Sequence, residues 1–288
     1  MRVCHAFAIV TALFFLSHYP AVVAAEEVHV FQTDSRYYYR TELLQLALSY
    51  TNQQDEYEPI RIVLRSDLPT PRARRLLLTG ELRGVMSLAT NSEREQRFLP
   101  IRVPIMAGIL GMRVFLIKEK YQPLFDELDS FEQLQQIPLG FVRHWGDIQV
   151  LEHNNMTIIP TSRYDTTFAM LNAERFHFFP RGVNEAFNEL NRFKPEIPDL
   201  TIETHNALFY PYPVYFFVNK NDTELATRIE YGLRQALEDG SFRKLFNQHH
   251  QQLLKKLNFD NRRIFYLENP TLPESAEKLD MSWWLVSE

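Results

Sequence analysis

Cysteine is almost absent from this sequence, since Cys4 is the only one among 288 residues. Cys4 lies in an N-terminal segment with the features of a removable leader. The mature chain is therefore predicted to have no disulfide, no thiol nucleophile and no cysteine ligand for a metal. Its stability must come from an apolar core, and a composition that is 45% hydrophobic is sufficient for one large core or two smaller ones.

Motifs of common catalytic and metal sites are also missing. The histidines form no H-E-x-x-H pattern, and the adjacent His249 and His250 would diverge by about 100° on a helix, so they cannot hold one ion from one face. The sequence has neither a G-K-[ST] phosphate loop nor a G-x-S-x-G nucleophile motif. We therefore expect no catalytic residue, no metal site and no cofactor.

The charge balance is acidic. Without residues 1–25 the chain has 30 basic and 36 acidic residues, a net charge of −6. A nucleic-acid groove needs a basic surface, so this balance argues against nucleic acid as a partner.

The N-terminus is typical of an exported protein. Arg2 gives a small positive region, residues 6–16 form an apolar run, and Val23, Ala24 and Ala25 form a small-residue cleavage site. The apolar run is too short to span a bilayer, which takes about 20 residues. We expect residues 1–25 to be a signal peptide and the mature chain to begin at Glu26. The alternative is an uncleaved anchor.

Two parts of the mature chain show the same alternation of short strands and helices. The first part is predicted to have strands at 28–31, 60–64, 85–88 and 101–105, with helices at 41–51 and 71–79. The second has a capped helical turn at 130–135, strands at 112–117, 138–142, 157–159 and 176–179, and helices at 147–154, 165–173 and 184–193. A strand at 210–218 and an amphipathic helix at 224–239, stopped by Gly240, complete the pattern.

Two segments carry a resemblance to a known family. In residues 84–118, a turn of the type Thr-x-x-x-Arg, here Thr90 to Arg94, stands between two strand-like runs. Residues 214–249 contain a strand, a lysine-containing turn, a long helix and an Asp-Gly-Ser-Phe end. In this arrangement the chain resembles the periplasmic solute-binding proteins of the family 3, or polar amino acid, type. The resemblance covers residues 27–250.

The resemblance implies an α/β fold of the two-lobed type II periplasmic-binding-protein class, in which each lobe is a mostly parallel sheet flanked by helices. The implied division is lobe 1 at 26–112 and 212–250, lobe 2 at 113–211, and a C-terminal extension at 251–288 that packs on lobe 1. The implied function is capture of a small solute by hinge closure. The expected protein is a periplasmic monomer that hands its ligand to a membrane permease of ABC type.

Lobe 1 is expected to supply Arg94, Thr90 and Tyr38 to the ligand site. In the family, the matching arginine holds the carboxylate of an amino acid, and backbone groups just before it assist. A guanidinium suits this role because it binds a carboxylate with two charge-assisted hydrogen bonds. The alternatives are that Arg94 pairs with Glu93 or Glu95, and that the tyrosines at 37–39 only pack the lobes.

Lobe 2 is expected to supply Arg143, Trp145, Asp147 and Arg181. The segment 140–147 matches the family's strand-to-helix turn, although Asp147 could serve only as the helix N-cap. Where family members that bind amino acids usually place an aspartate for the ligand's ammonium group, this chain has Arg181. An anionic ligand held between Arg94 and Arg181 is therefore predicted. If Glu185 pairs with Arg181, the alternative is a neutral or zwitterionic ligand.

Two other functions stay open at this point. One is a stand-alone enzyme of the dehydratase type on the same fold, which would use an acid or base such as Glu185 or His177. The other is a sensory subunit whose closed form binds a membrane receptor.

Overall fold

The computed structural model describes residues 25–34, 37–258 and 261–277, in two β-sheets flanked by helices. The predicted signal peptide lies almost wholly outside these residues. The strands are β1 (Glu26–Val30), β2 (Ile60–Leu64), β3 (Gly84–Ala89), β4 (Leu99–Ile101), β5 (Met112–Lys118), β6 (Leu139–Val142), β7 (Ile158–Thr161), β8 (Phe178–Gly182), β9 (Leu200–Ile202), β10 (Asn206–Phe209), β11 (Val214–Val218) and β12 (Arg263–Tyr266).

The helices are α1 (Tyr38–Asn52), α2 (Thr70–Thr79), α3 (Ser92–Arg97), α4 (Gln122–Asp126), α5 (Phe131–Gln136), α6 (Ile148–His153), α7 (Tyr164–Asn172), α8 (Val183–Phe193), α9 (Thr223–Glu238), α10 (Ser241–Leu257) and α11 (Glu274–Glu277). Two single 3-10 turns, Ile109–Gly111 and Glu119–Tyr121, flank β5.

The first sheet has the strand order β2-β1-β3-β11-β4. Its first three strands are parallel, and β11 runs antiparallel to β3 and β4. Helices α1 and α9 pack against each other beside this sheet through buried leucines, isoleucine and alanines. Gly232 permits their approach, because a Cβ at this position would stand 1.8 Å from the carbonyl oxygen of Ala47.

The second sheet has the order β12-β10-β5-β8-β6-β7, with β9 also paired to β5. Aromatic side chains fill its core. Phe115, Phe125 and Phe178 lie within 5.8 Å of one another by ring centroids, and Phe168 stacks on Phe193 at 3.6 Å. The apolar strand predicted at 176–179 is therefore a core strand, although it begins and ends later, as β8.

The chain crosses from the first sheet to the second after β4 and returns between β10 and β11. The two crossings touch, since Tyr210 N–H donates to the carbonyl of Gly111 at 3.2 Å. A Cβ on Gly111 would stand only 2.0 Å from the Tyr210 carbonyl oxygen, so glycine is needed for this approach. The return strand starts at Val214 and not at residue 210 as predicted, because Pro211 and Pro213 have no backbone N–H that could donate a hydrogen bond to a neighbouring strand.

The C-terminal extension differs from its prediction. Strand β12 pairs in parallel with β10, from Arg263 opposite Asn206 to Tyr266 opposite Phe209. The prediction that the extension packs on lobe 1 is therefore wrong for this strand, which joins the second sheet. The physical reason is that β10 would otherwise be an edge strand with unpaired backbone groups, and Phe265 becomes buried when β12 covers it. Trp283 and Trp284 lie outside the described residues.

Across the described ranges, no helix has both the length and the apolar character needed to cross a membrane.

Candidate functional site

Arg94 lies on the short helix α3, directly after β3. The side chain of Asn91 caps this helix by accepting from the backbone N–H of Arg94 at 2.8 Å. The Arg94 guanidinium is half-buried and donates to the carbonyl of Ala89. The predicted alternative partners are engaged elsewhere, because Glu93 pairs with Arg97 and Glu95 with Arg102. Ligand binding by Arg94 stays a prediction.

The other lobe 1 candidates lie differently. Thr90 is buried, its hydroxyl donates to Glu95 Oε1 at 2.7 Å and its N–H donates to the carbonyl of Pro213 at 2.8 Å, so its polar groups hold the local turn. Tyr38 is 56% exposed at the start of α1. Tyr39 is buried against Phe246 and His250, so for this tyrosine the alternative holds that it packs the lobe and does not reach the cleft.

A cleft of about 320 Å³ opens where the two crossings meet the ends of β6 and β8. Open α/β sheets bind ligands at such strand ends. The predicted Trp145, Asp147 and Arg181 lie there together, whereas Arg143 is exposed and is not among the lining residues. The lining residues are Leu110, Arg113, Trp145, Asp147, Arg181, Asn184, Glu185 and Tyr212.

Asp147 belongs to a buried triad with Arg113 and Tyr210. Its Oδ2 accepts from Arg113 Nη2 at 2.6 Å and from the Tyr210 hydroxyl at 2.7 Å, while Arg113 Nε donates to that hydroxyl at 2.6 Å. The carboxylate makes no cap bond to α6, so the interpretation of Asp147 as only an N-cap is wrong. Burial alone would raise the pKa of Asp147, but the Arg113 charge and the Tyr210 hydrogen bond outweigh it and lower the pKa.

Arg181 is held by two carboxylates. Glu189 binds it bidentately, with Nε to Oε2 at 2.7 Å and Nη2 to Oε1 at 2.6 Å, and Glu185 accepts from Nη2 at 2.9 Å. The guanidinium also lies 4.5 Å from the ring centroid of Trp145. The prediction that Arg181 presents an uncompensated cation to the cleft is therefore wrong, and the alternative pairing with Glu185 is confirmed.

Tyr212 connects the Arg94 side of the cleft to the triad. Burial and the Asp147 charge raise the pKa of its phenol, and the Arg94 and Arg113 guanidinium groups oppose this shift. Arg94 is thus close enough to act on a residue that lines the cleft. Two guanidinium groups and two carboxylates line the cleft, and Glu189 behind Arg181 and Arg94 beside Tyr212 add one charge of each sign, so the formal charges of these six residues cancel. They are Arg94, Arg113, Arg181, Asp147, Glu185 and Glu189.

Sequence reasoning missed Arg113 and Glu189. The sequence does contain a sign of both residues, because each is a charged residue among apolar ones. Arg113 lies in the buried strand β5, and Glu189 lies on the buried face of α8. A charge in such a position needs a partner, because an unpaired buried charge is costly. The sequence alone does not identify the partner.

A second polar cluster lies on the second sheet, away from the cleft. His205 Nδ1 lies 2.6 Å from Asp126 Oδ1, and the buried Glu203 accepts the backbone N–H groups of His205 and Asn206, both at 2.7 Å. Arg262 Nη1 lies 3.6 Å from Glu203. Because these donors already satisfy the Glu203 carboxylate, the cluster is explained as a hydrogen-bond network that fixes the turn before β10.

The sequence matches no protein-family profile and no curated protein. Its structure is similar to that of the probable amino-acid ABC transporter extracellular-binding protein ytmK from Bacillus subtilis, with a TM-score of 0.53 and 16% identity, over 78% of this chain and 97% of that one. It is also similar to substrate binding domain 2 of Lactococcus lactis GlnP in its open conformation, with a TM-score of 0.50 and 13% identity, over 78% and 94% of the two chains. The predicted fold class is thereby confirmed: the chain has the same two-lobed α/β fold as these two binding proteins.

Proposed function

We propose that the protein binds a small amino-acid-like solute in the cleft between its two lobes. The observation that supports this most is the cancelling set of charges around the cleft. Such a set can offer donors to a carboxylate and acceptors to an ammonium group in the same small volume. A zwitterion satisfies both without adding net charge.

This proposal revises the ligand charge predicted from the sequence. An anion held between Arg94 and Arg181 required a cation on each side of the cleft, but Glu185 and Glu189 compensate Arg181. The neutral or zwitterionic ligand, which was the alternative, fits this arrangement better. Arg94 is then the group that receives the ligand's carboxylate from lobe 1.

Transport is the context that we propose for this binding. The mature protein would be a periplasmic monomer that closes around the ligand by hinge motion and delivers it to a membrane permease. Delivery to a sensory receptor is compatible with the same cleft. Export is tested by the intact mass of protein from a periplasmic extract, where a species that retains residues 1–25 would contradict it.

The enzymatic alternative has less support from the positions of its candidate residues. His177 precedes β8, whereas the cleft lies at the other end of that strand, at Arg181. Glu185 does line the cleft, but it is paired with Arg181. An acid or base within reach of a bound substrate is the first requirement for proton transfer.

The test is titration calorimetry of the mature protein against the twenty common amino acids and a set of dicarboxylates. We expect saturable binding of at least one amino acid, with the compound recovered unchanged by mass analysis. Arg94→Ala should weaken that binding at least tenfold, since loss of a charge-assisted contact costs at least about 1.4 kcal/mol. Binding of dicarboxylates alone, or equal affinity in Arg94→Ala, would refute the corresponding part of the proposal.

A further inference from the structure

The ends of three polar side chains fill the space that a side chain at Gly182 would need. A Cβ built on this residue would stand 2.7 Å from Arg113 Nη1, 2.8 Å from Asn184 Oδ1 and 3.0 Å from Glu185 Oε2. The backbone of Gly182, at φ −56° and ψ 136°, is one that any residue adopts. Glycine is therefore required here by space and not by conformation, and what occupies the space is the end of Arg113.

The register of the second sheet brings this about. Strand β5 pairs with β8 so that Arg113 lies directly opposite Gly182. Two of the three guanidinium nitrogens of Arg113 are committed, Nε to the Tyr210 hydroxyl and Nη2 to Asp147. These bonds fix the guanidinium plane and leave Nη1 beside Gly182, and Arg113 is one of the residues that line the cleft.

Arg113 Nη1 is a hydrogen-bond donor, and the two atoms that share its place beside Gly182, Asn184 Oδ1 and Glu185 Oε2, are acceptors. Asn184 and Glu185 follow Gly182 at the start of α8, and both line the cleft with Arg113. Glu185 acts on Arg113 through its charge, which contributes to the raised pKa of the guanidinium even though burial opposes it. A group that both accepts and donates hydrogen bonds would match these three atoms.

The charges on this side of the cleft decide between an acid and a neutral group. Arg113 is compensated by Asp147, whereas Glu185 and Glu189 share the single positive charge of Arg181, so one carboxylate charge is in excess. Together with Glu189, which lies behind Arg181, this side of the cleft therefore has two cations against three carboxylates, a net charge of −1. A second carboxylate of a ligand would meet this excess negative charge, whereas a carboxamide would not.

We propose that Arg113, Asn184 and Glu185 form a specificity-determining subsite over Gly182 that accepts a neutral carboxamide and rejects the matching carboxylate. The carbonyl oxygen of the amide accepts from Arg113 Nη1, and its NH₂ donates to Asn184 Oδ1 or to Glu185. This inference rests on the proposed function, since it describes the far end of a solute whose own carboxylate is held by Arg94.

The test compares two pairs of probes that differ only in the terminal group, glutamine with glutamate and asparagine with aspartate. Titration calorimetry at pH 7 is expected to show that wild type binds one of the amides at least tenfold more tightly than the acid of equal length. Tighter binding of the acid would overturn the assignment. Binding of other amino acids, but of neither amide, would overturn it while leaving the proposed function in place; binding of no amino acid would refute both.

Gly182→Ala is the main variant, because its methyl group would displace side-chain ends and leave the backbone unstrained. We expect at least a tenfold loss of amide binding with an unchanged circular dichroism spectrum. Gly146→Ala is the matched control, since a Cβ there would meet only the Tyr212 hydroxyl at 3.8 Å, and it should bind as wild type does. Wild-type amide affinity in Gly182→Ala would refute the role of Arg113.

Glu185→Gln gives a second readout that does not depend on the fold of the glycine variant. The Glu185 side chain is 44% exposed, and Arg181 keeps Glu189 when it is changed. Removing the excess negative charge should raise the affinity for the acid at least fivefold and so reduce the preference for the amide. An unchanged ratio of amide to acid affinity would contradict the charge argument.

Discussion

Removing one partner of the buried pair of Arg181 and Glu189 should be among the most destabilising single changes around the second sheet. Their side chains are 8% and 9% exposed, and two hydrogen bonds of 2.6 and 2.7 Å join them. Glu189→Gln keeps the size of the side chain and removes its charge. The variant leaves Arg181 Nε–H facing an amide that can accept only one of the two bonds, so a buried cation loses most of its compensation.

The expected cost follows from what remains around Arg181. Removing one partner of a buried pair costs about 3–5 kcal/mol when the other charge is left alone. Here Glu185 still accepts from Nη2, and the Trp145 ring still faces the guanidinium, so we expect roughly 2–4 kcal/mol. With a urea m-value of about 2–3 kcal/mol per molar, the unfolding midpoint should fall by roughly 1 M.

Urea unfolding at pH 7, followed by far-UV circular dichroism and by tryptophan fluorescence, measures this change. Glu230→Gln on α9 is the matched control, because Glu230 forms an i,i+4 pair with Arg234 in which both side chains are about half exposed. It should leave the midpoint unchanged, since exposed pairs contribute little. The double change of Arg181→Met with Glu189→Leu should recover much of the lost stability, because apolar replacement avoids burying any charge at this position.

Equal midpoints for Glu189→Gln and Glu230→Gln would refute the reasoning. So would a double variant that is less stable than Glu189→Gln, because the cost would then come from lost packing and not from an uncompensated charge.

Two further changes test the packing and the triad. Gly232→Ala should lower the free energy of unfolding by about 1–3 kcal/mol or more, because the new methyl group overlaps the Ala47 carbonyl and must push α9 away from α1; thermal unfolding against Gly146→Ala checks this. The lowered pKa of Asp147 means that its contribution is present above the ordinary aspartate value of about 3.9 and is lost as the pH falls through the folded value. Asp147→Asn should therefore be less stable than wild type at pH 7, and the difference should shrink below about pH 4; a gap that stays constant down to pH 2 would show that the charge is not its source.

Local signals in the sequence predicted much of the fold. The strand at 60–64 has the bounds that were expected, Ser130 forms the predicted cap with Gln133 as its reciprocal partner, and Gly240 separates α9 from α10 with φ at 80°. The strand, the cap and the glycine turn each depend only on residues that are close together along the chain. Strand β12 was missed for the opposite reason, because its pairing with β10 joins segments almost 60 residues apart.

In the candidate site, too, contacts between residues close in sequence could be predicted, and contacts between distant residues could not. The pairing of Arg181 with Glu185 joins two residues that are only four positions apart, at the end of β8 and the start of α8, and could be considered from the sequence. Asp147 could be placed at a helix start, but its partners Arg113 and Tyr210 lie 34 and 63 residues away, and only the register of β5 against β8 and β10 brings them together. An ionisable residue within a buried strand can therefore be recognised from the sequence as a group that needs a partner. Whether that partner leaves one of its hydrogen-bonding groups available to a ligand is decided by the tertiary structure, and at Arg113 it is decided by the missing side chain of Gly182.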